Sequence, residues 1–291
     1  MHMVRYGSLL MADNIVMYIG YNMDKVLLGR FVGATALGFY SRAYQLINIP
    51  TTNLCTAVGN AAFPALSRLQ HEPVRLRSYF LKCYTLFLSL NIPITVACGL
   101  FGEDIIRVFL GAKWMDSVPL FRLLAPTMLA VAFINPPGLL LAAIGRAKES
   151  LLIGCAIAPT VILGYALGLP YGPVGIASGF SASMLLLAVP VTLWAISYTP
   201  VSPADVWGAI RPPLYSVFVA AGAALLVSLP ASGLHFALLR LLLICGVLFT
   251  VYFIMLFFPM GQKALYLKVL AGLGLKLKRS ENPGVPREIC V

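Results

Sequence analysis

Charge is what this 291-residue chain has least of: Asp, Glu, Lys and Arg make up 11% of it, where a soluble domain carries about 25%. Only 10 residues are acidic. With 60% hydrophobic residues, so little charge excludes a water-soluble globular domain. Signatures of membrane enzymes are missing too: there is no DDxxD pair, no HExxH and no glycine-rich phosphate loop. The three histidines, at 2, 71 and 235, fall at the terminus or in loops, so the chain does not read as an enzyme. Six cysteines, at 55, 83, 98, 155, 245 and 290, show no paired or metal-ligand spacing. They read as small apolar fillers, and neither a metal nor a bound cofactor is expected. A cleavable leader is not expected either, because Asp13, Asn14, Asn22 and Asp24 interrupt the first 30 residues.

What the chain does have is long uncharged runs, at 43–67, 83–102, 123–145, 150–204, 212–239 and 241–262. About 20 apolar residues suffice for a helix to cross the hydrocarbon core. Five runs hold one span each, and 150–204 holds two, divided at Leu169-Pro170-Tyr171-Gly172-Pro173. A more polar segment, Tyr6 to Leu28, adds the eighth. The runs are continuous instead of alternating, which excludes barrel strands. The fold class is therefore an all-α polytopic membrane protein of about eight transmembrane helices.

Basic residues collect in cytoplasmic loops. Arg5, Arg68, Arg75, Arg77, Lys82, Arg146, Lys148 and Arg211 join the basic tail on one side, whereas the segments 168–175 and 228–236 have no Lys or Arg. This alternation predicts both termini in the cytoplasm. It also accounts for most of the net charge of +11 without a nucleic-acid partner. Residues 262–279 are lysine-rich with interleaved leucines, as in a cytoplasmic interfacial helix on anionic lipid. Residues 280–291 read as disordered, and Glu103 to Leu110 as a short helix at the outer surface.

Polar residues within membrane helices mark the candidate site, since a charge at the bilayer centre costs about 2.5–3.5 kcal/mol on insertion scales. In the first span Asp13 and Asp24 are eleven residues apart, about three turns, and share a face with Met17 and Gly20. In the second, Arg42, Asn53 and Asn60 fall within about 20° of one another at 100° per residue, with Gln45 and Thr56 beside them. Asn, Gln and Thr also tie membrane helices together, and Lys25 and Arg30 can snorkel to the interface. Asp24 with Arg42 is the expected ion pair, and a cavity bearing Arg suits a phosphate-bearing substrate. Among prolines inside the runs, Asn135-Pro136-Pro137-Gly138 is the expected helix break.

Asn22 to Leu46 reads NMDKVLLGRFVGATALGFYSRAYQL. Its elements Asn22-x-Asp24, Leu28-Gly29-Arg30, Gly33 and Leu37-Gly38-x-Tyr40-Ser41-x-Ala43 resemble the second-half signature of Wzx/PST-type polysaccharide flippases. These belong to the MOP superfamily, with the MATE and MurJ transporters. Phe63-Pro64-Ala65-Leu66-Ser67 and Leu110-Gly111-x-x-Trp114 fit the same family. The resemblance covers roughly residues 1–150. The glycines are expected to permit a tight outer turn and close helix approach, and Pro64 to end the second span.

The resemblance implies a two-lobed flippase of the bacterial inner membrane. It would move undecaprenyl-pyrophosphate-linked oligosaccharide to the outer leaflet by alternating access, with H+ or Na+ as the expected coupling ion. On this reading residues 1–198 are the C-terminal six-helix lobe, 199–260 two additional helices, and 261–291 the interfacial helix and tail. The second lobe is expected from a separate N-terminal half or from a homodimer. Asp13, Asp24, Arg42, Gln45, Asn53, Thr56 and Asn60 are the cavity candidates. Gly29, Gly33, Gly38, Tyr40, Pro64, Pro136 and Pro137 are the structural motif. A drug/ion antiporter of the same superfamily, or a non-transporting partner that binds lipid-linked intermediates, remain as alternatives.

Overall fold

In the computed structural model, which describes residues 2–231, 236–258 and 266, each uncharged run is carried by a helix. In chain order these are α1 (His2–Phe31), α2 (Ala34–Arg68), α3 (Pro73–Leu100), the short α4 (Gly102–Phe109), α5 (Val118–Ala143), α6 (Ala147–Gly168), α7 (Gly172–Ile196), α8 (Pro203–Ala231) and α9 (Ala237–Phe257). Even α9, with 21 residues, is about 31 Å long at 1.5 Å per residue, enough to cross a core of about 30 Å. The helices α3 and α5 to α9 lie in five stretches long and apolar enough to span a membrane. This is a multi-pass membrane protein. The first two helices fall outside those stretches because they carry the polar residues singled out above. No strand occurs among the described residues. The tail expectations, apart from Tyr266, lie outside the described residues.

Two apolar cores organise the bundle. One joins α1, α2, α5, α6 and α7 around Tyr40, Phe121, Tyr165 and Phe180; the other joins α2, α3, α5, α8 and α9 around Phe80, Tyr84, Leu140 and Tyr252. The hairpin of α6 and α7 turns at Leu169–Tyr171 with Gly172 at φ +66°, where the proline and glycine signals place the division. Its helices approach through glycines: a Cβ added at Gly168 would lie 2.1 Å from the Gly175 carbonyl oxygen, and one at Gly179 2.1 Å from that of Gly164. Small residues at such contacts let backbones meet without side chains between them.

The expected break at Asn135–Gly138 does not occur. Helix α5 runs unbroken from Val118 to Ala143, through Pro126, Pro136 and Pro137. A proline inside a helix leaves the carbonyl four residues earlier without its donor, and the neighbouring helices supply replacements. The carbonyl freed by Pro137 belongs to Phe133, and Thr192 Oγ1 of α7 donates to it at 3.1 Å. The same device recurs in α3, where the carbonyl of Ser89, freed by Pro93, accepts the Tyr252 hydroxyl of α9 at 2.9 Å. Pro64 likewise does not end α2, which continues to Arg68.

Two ion pairs fasten α8 and α9 to the two ends of α3. Arg77, one turn into α3, grips Asp205 in the first turn of α8 through Nε and Nη2 at 2.7 and 2.6 Å. Ser202 donates to the same carboxylate from its backbone N and its hydroxyl. Past the other end of α3, Asp104 of α4 is buried and pairs with Arg240 of α9 at 3.3 Å.

Replacing Gly179 by Leu is expected to cost about 2–3 kcal/mol by overpacking the α6–α7 contact, read as a lower melting temperature of the purified protein; an unchanged value would refute the close approach. Thr192→Val is expected to cost about 1 kcal/mol. In a Pro137→Ala background, where the backbone N–H is restored, the same change should cost nothing, and equal losses in both backgrounds would refute the pairing of Thr192 with the freed carbonyl.

Candidate functional site

The polar first two helices are joined by a turn at Val32 and Gly33, whose φ of +115° only glycine adopts without strain. From that turn α1 packs along α6 and α2 along α5, leaving two recesses between them. The first, about 420 Å3, holds Asp13, Asn14 and Ser150 among apolar residues such as Val58 and Leu139. The second, about 330 Å3, is lined by Tyr18, Lys25, Tyr44, Asn48, Thr52 and Phe180. Both are also lined by Cys55 and Asn135, and Asn135 Nδ2 donates to Cys55 Sγ at 3.5 Å.

The two carboxylates of α1 do share a face, and the face turns into the protein. Asp13 accepts from the Ser150 hydroxyl of α6 at 2.7 Å. Gly20 lies against Ala158 of α6, where an added Cβ would come within 2.9 Å of the alanine Cβ. Asp24 is fully buried and accepts from the Tyr40 hydroxyl of α2 at 2.7 Å and from the backbone N of Lys25 at 2.7 Å. Tyr40, a motif residue by sequence, thus supplies the donor that a buried carboxylate needs.

The expected ion pair between Asp24 and Arg42 is not formed. Arg42 is exposed; its Nη1 donates to Gln45 at 3.1 Å and its guanidinium lies 5.6 Å from the centre of the Trp114 ring. The reason is rotational: Tyr40 and Arg42 are two residues apart on α2, about 200° around it, so the helix cannot present both to Asp24. Gln45, Asn53, Thr56 and Asn60 are exposed on the same side as Arg42. The stripe therefore lines neither recess; it faces outward from the bundle.

Of the motif glycines, Gly33 makes the turn and Gly29 packs on Leu37, whereas Gly38 faces open space and makes no close approach. Gly111 takes φ +89° and presents Trp114, which meets Phe39 edge-on as well as Arg42. Lys25, read from sequence as a snorkelling residue, instead donates to Asn22 Oδ1 at 2.7 Å and lies 4.9 Å from the centre of the Tyr44 ring. Sequence reasoning also passed over Tyr44, Asn48 and Thr52. Their spacing of four along α2 was the available signal, a second polar row beside the Arg42 stripe.

Residues 1–119 match the family described as polysaccharide biosynthesis protein. Teichuronic acid biosynthesis protein TuaB of Bacillus subtilis is 32% identical over 142 residues, covering 49% of this chain and 29% of that protein. The lipopolysaccharide biosynthesis protein WzxC of Escherichia coli is 28% identical over 181 residues, 61% of this chain and 36% of that protein. The matched residues take in the segment Asn22 to Leu46 and both polar helices up to Arg68. The chain matches about a third of the length of these relatives. In fold, the chain is similar to the lipid II flippase MurJ in an inward closed conformation, with a TM-score of 0.69 at 16% identity over 87% of this chain and 53% of that one. It is also similar to a MATE family multidrug resistance transporter in an outward-facing conformation, with a TM-score of 0.58 at 15% identity over 86% and 63%. At these identities the likeness shows the arrangement of the helices alone.

Tyr40→Phe removes the side-chain donor to Asp24 and keeps the ring in place. The expected loss is about 1–2 kcal/mol, measured as a lower melting temperature in detergent; a Tyr40→Phe protein as stable as the parent would refute the role of this bond.

Proposed function

We propose that this chain forms one lobe of a flippase that moves lipid-linked saccharide precursors across a bacterial inner membrane by alternating access, with the basic loops in the cytoplasm. The observation that carries this reading is the opposite character of two exposed faces. The helices α8 and α9 expose Phe218, Leu226, Leu238, Leu239 and Leu242, and carry no charged residue from 212 to 231 or from 241 to 257. Such a surface suits acyl chains. The second helix exposes Arg42, Gln45, Asn53, Thr56 and Asn60 along most of its length. Lipid would penalise that row, whereas a water-filled cavity closed by an opposing lobe would solvate it.

In this reading Arg42, held by Gln45 and Trp114, offers the guanidinium to a pyrophosphate, and the amides offer hydrogen bonds to sugar hydroxyls. The opposing lobe comes from an N-terminal half or a second copy. Asp13 and Asp24 are the carboxylates available for coupling to H+ or Na+, and no enzymatic step is assigned to the chain. The antiporter alternative has less support, because the exposed stripe bears a cation and amides and no carboxylate. The relatives named for teichuronic acid and lipopolysaccharide biosynthesis are consistent with a saccharide substrate.

Asn53→Leu discriminates between lipid and cavity. A lipid-facing Asn replaced by Leu leaves function unchanged. On a cavity wall the same change should cut surface polysaccharide at least tenfold, scored in a flippase-deficient bacterium that expresses this lobe with an N-terminal lobe. Inserted protein should be unchanged. Normal polysaccharide with Asn53→Leu would overturn the assignment.

A further inference from the structure

The recess of about 330 Å3 between α1 and α2 is used by none of the groups assigned above, and it has the makings of a binding site. Its inner wall is aromatic and fixed. The Tyr44 and Phe180 rings are 6.2 Å apart between centres, as are Tyr21 and Phe180, and Tyr44 stacks on Tyr40 at 6.1 Å. Its open side carries Tyr18, Asn48 and Thr52, all exposed. At one edge stands Lys25, which forms no ion pair among the described residues. Asn22 occupies one of its three donors and the Tyr44 ring lies beneath the ammonium, so the remaining donors are available to a ligand.

These three features together select a chemical class. A flat aromatic wall packs against the C–H face of a sugar ring, amides and hydroxyls bind its hydroxyl groups, and an ammonium takes an anion. An acyl chain has no use for Asn48, Thr52 or Lys25, and a cationic drug would be repelled by Lys25. The volume lies at the lower end of the range for small-molecule pockets, about 300–1,000 Å3, which suits a single glycosyl unit and not an oligosaccharide repeat. The position also fits. At 100° per residue, Asn48 and Thr52 lie about 80–120° around α2 from Arg42, on the face adjoining the stripe.

We propose that this recess is a saccharide subsite, which holds the lipid-proximal sugar of the lipid-linked precursor while Lys25 contacts the phosphate that joins sugar to lipid. The proposal rests on the flippase reading and adds to it a place where the first sugar is distinguished. Arg42 then serves the cavity at large, and Lys25 serves the sugar-phosphate linkage.

The test measures binding to the purified chain in lipid nanodiscs. The probes are farnesyl pyrophosphate and farnesyl pyrophosphate carrying glucose, galactose or N-acetylglucosamine. At least one sugar-bearing probe should bind about tenfold more tightly than farnesyl pyrophosphate. Asn48→Leu and Thr52→Val should each reduce that gain about fivefold, the scale of one hydrogen bond, and leave affinity for the bare lipid pyrophosphate unchanged. Lys25→Gln should weaken every probe about tenfold. Asn48 and Thr52 are exposed, and unchanged melting temperatures would show that their variants fold. Binding of farnesyl pyrophosphate with no gain from any sugar would overturn the subsite and leave the flippase reading standing. So would a sugar gain that survives both substitutions, and Lys25→Gln without effect would overturn the phosphate contact. If no probe binds at all, the subsite is overturned, and the flippase reading is decided separately by the Asn53→Leu polysaccharide assay.

Discussion

Within a bilayer every backbone polar group must find its partner inside the protein, and the architecture follows from that requirement. It makes the chain helical, and it turns each internal proline into a demand on a neighbouring helix. The carbonyls that Pro93 and Pro137 leave free are met by Tyr252 of α9 and Thr192 of α7. Prolines that would weaken an isolated helix thereby become points of attachment between helices. The bundle depends on these bonds because apolar burial cannot discriminate between a helix and a lipid tail as a neighbour.

Charges obey the same rule. Asp24, fully buried, is held by Tyr40 and the backbone of α1; Asp104, buried beside α3, is held by Arg240. The grip of Arg77 on Asp205 fixes the start of α8 at the opposite end of α3. The α8–α9 pair is thus pinned near both ends of one helix, so the apolar surface it offers to lipid stays in a set relation to the polar surface of α2. In the proposed flippase lobe this division would let the apolar side stay against lipid while the polar side of α2 opens and closes around a passenger.

Much of the fold was legible in the uncharged runs, because crossing the hydrocarbon demands about 20 consecutive apolar residues and leaves a plain trace in sequence. The division at Leu169–Pro173 and the short helix after α3 were legible for similar reasons of turn chemistry and periodicity. The continuity of α5 was not. Asn135-Pro136-Pro137-Gly138 reads as a break as long as the donor that rescues it, Thr192, is far away in the chain. The partner of Asp24 was equally hidden: charge complementarity pointed to Arg42, and helix rotation delivered Tyr40. Lys25 looked like an interfacial cation because nothing local announces the Tyr44 ring beneath it.

By itself the sequence determined the membrane as solvent, the long helices among the described residues, the polar character of the first two, and the motif between Asn22 and Leu46. These are properties of composition and short-range spacing, and hydrophobic length alone enforces them. Only the tertiary structure decided which polar side chains are satisfied inside the lobe and which remain exposed. It buried Asp24 against Tyr40, turned the Arg42 stripe outward, and gathered Lys25, Tyr44, Asn48 and Thr52 around a recess. That outcome rests on the rotation of α1 and α2 against α5, α6 and α7, which is set by glycine contacts and interhelical hydrogen bonds between residues distant in the chain.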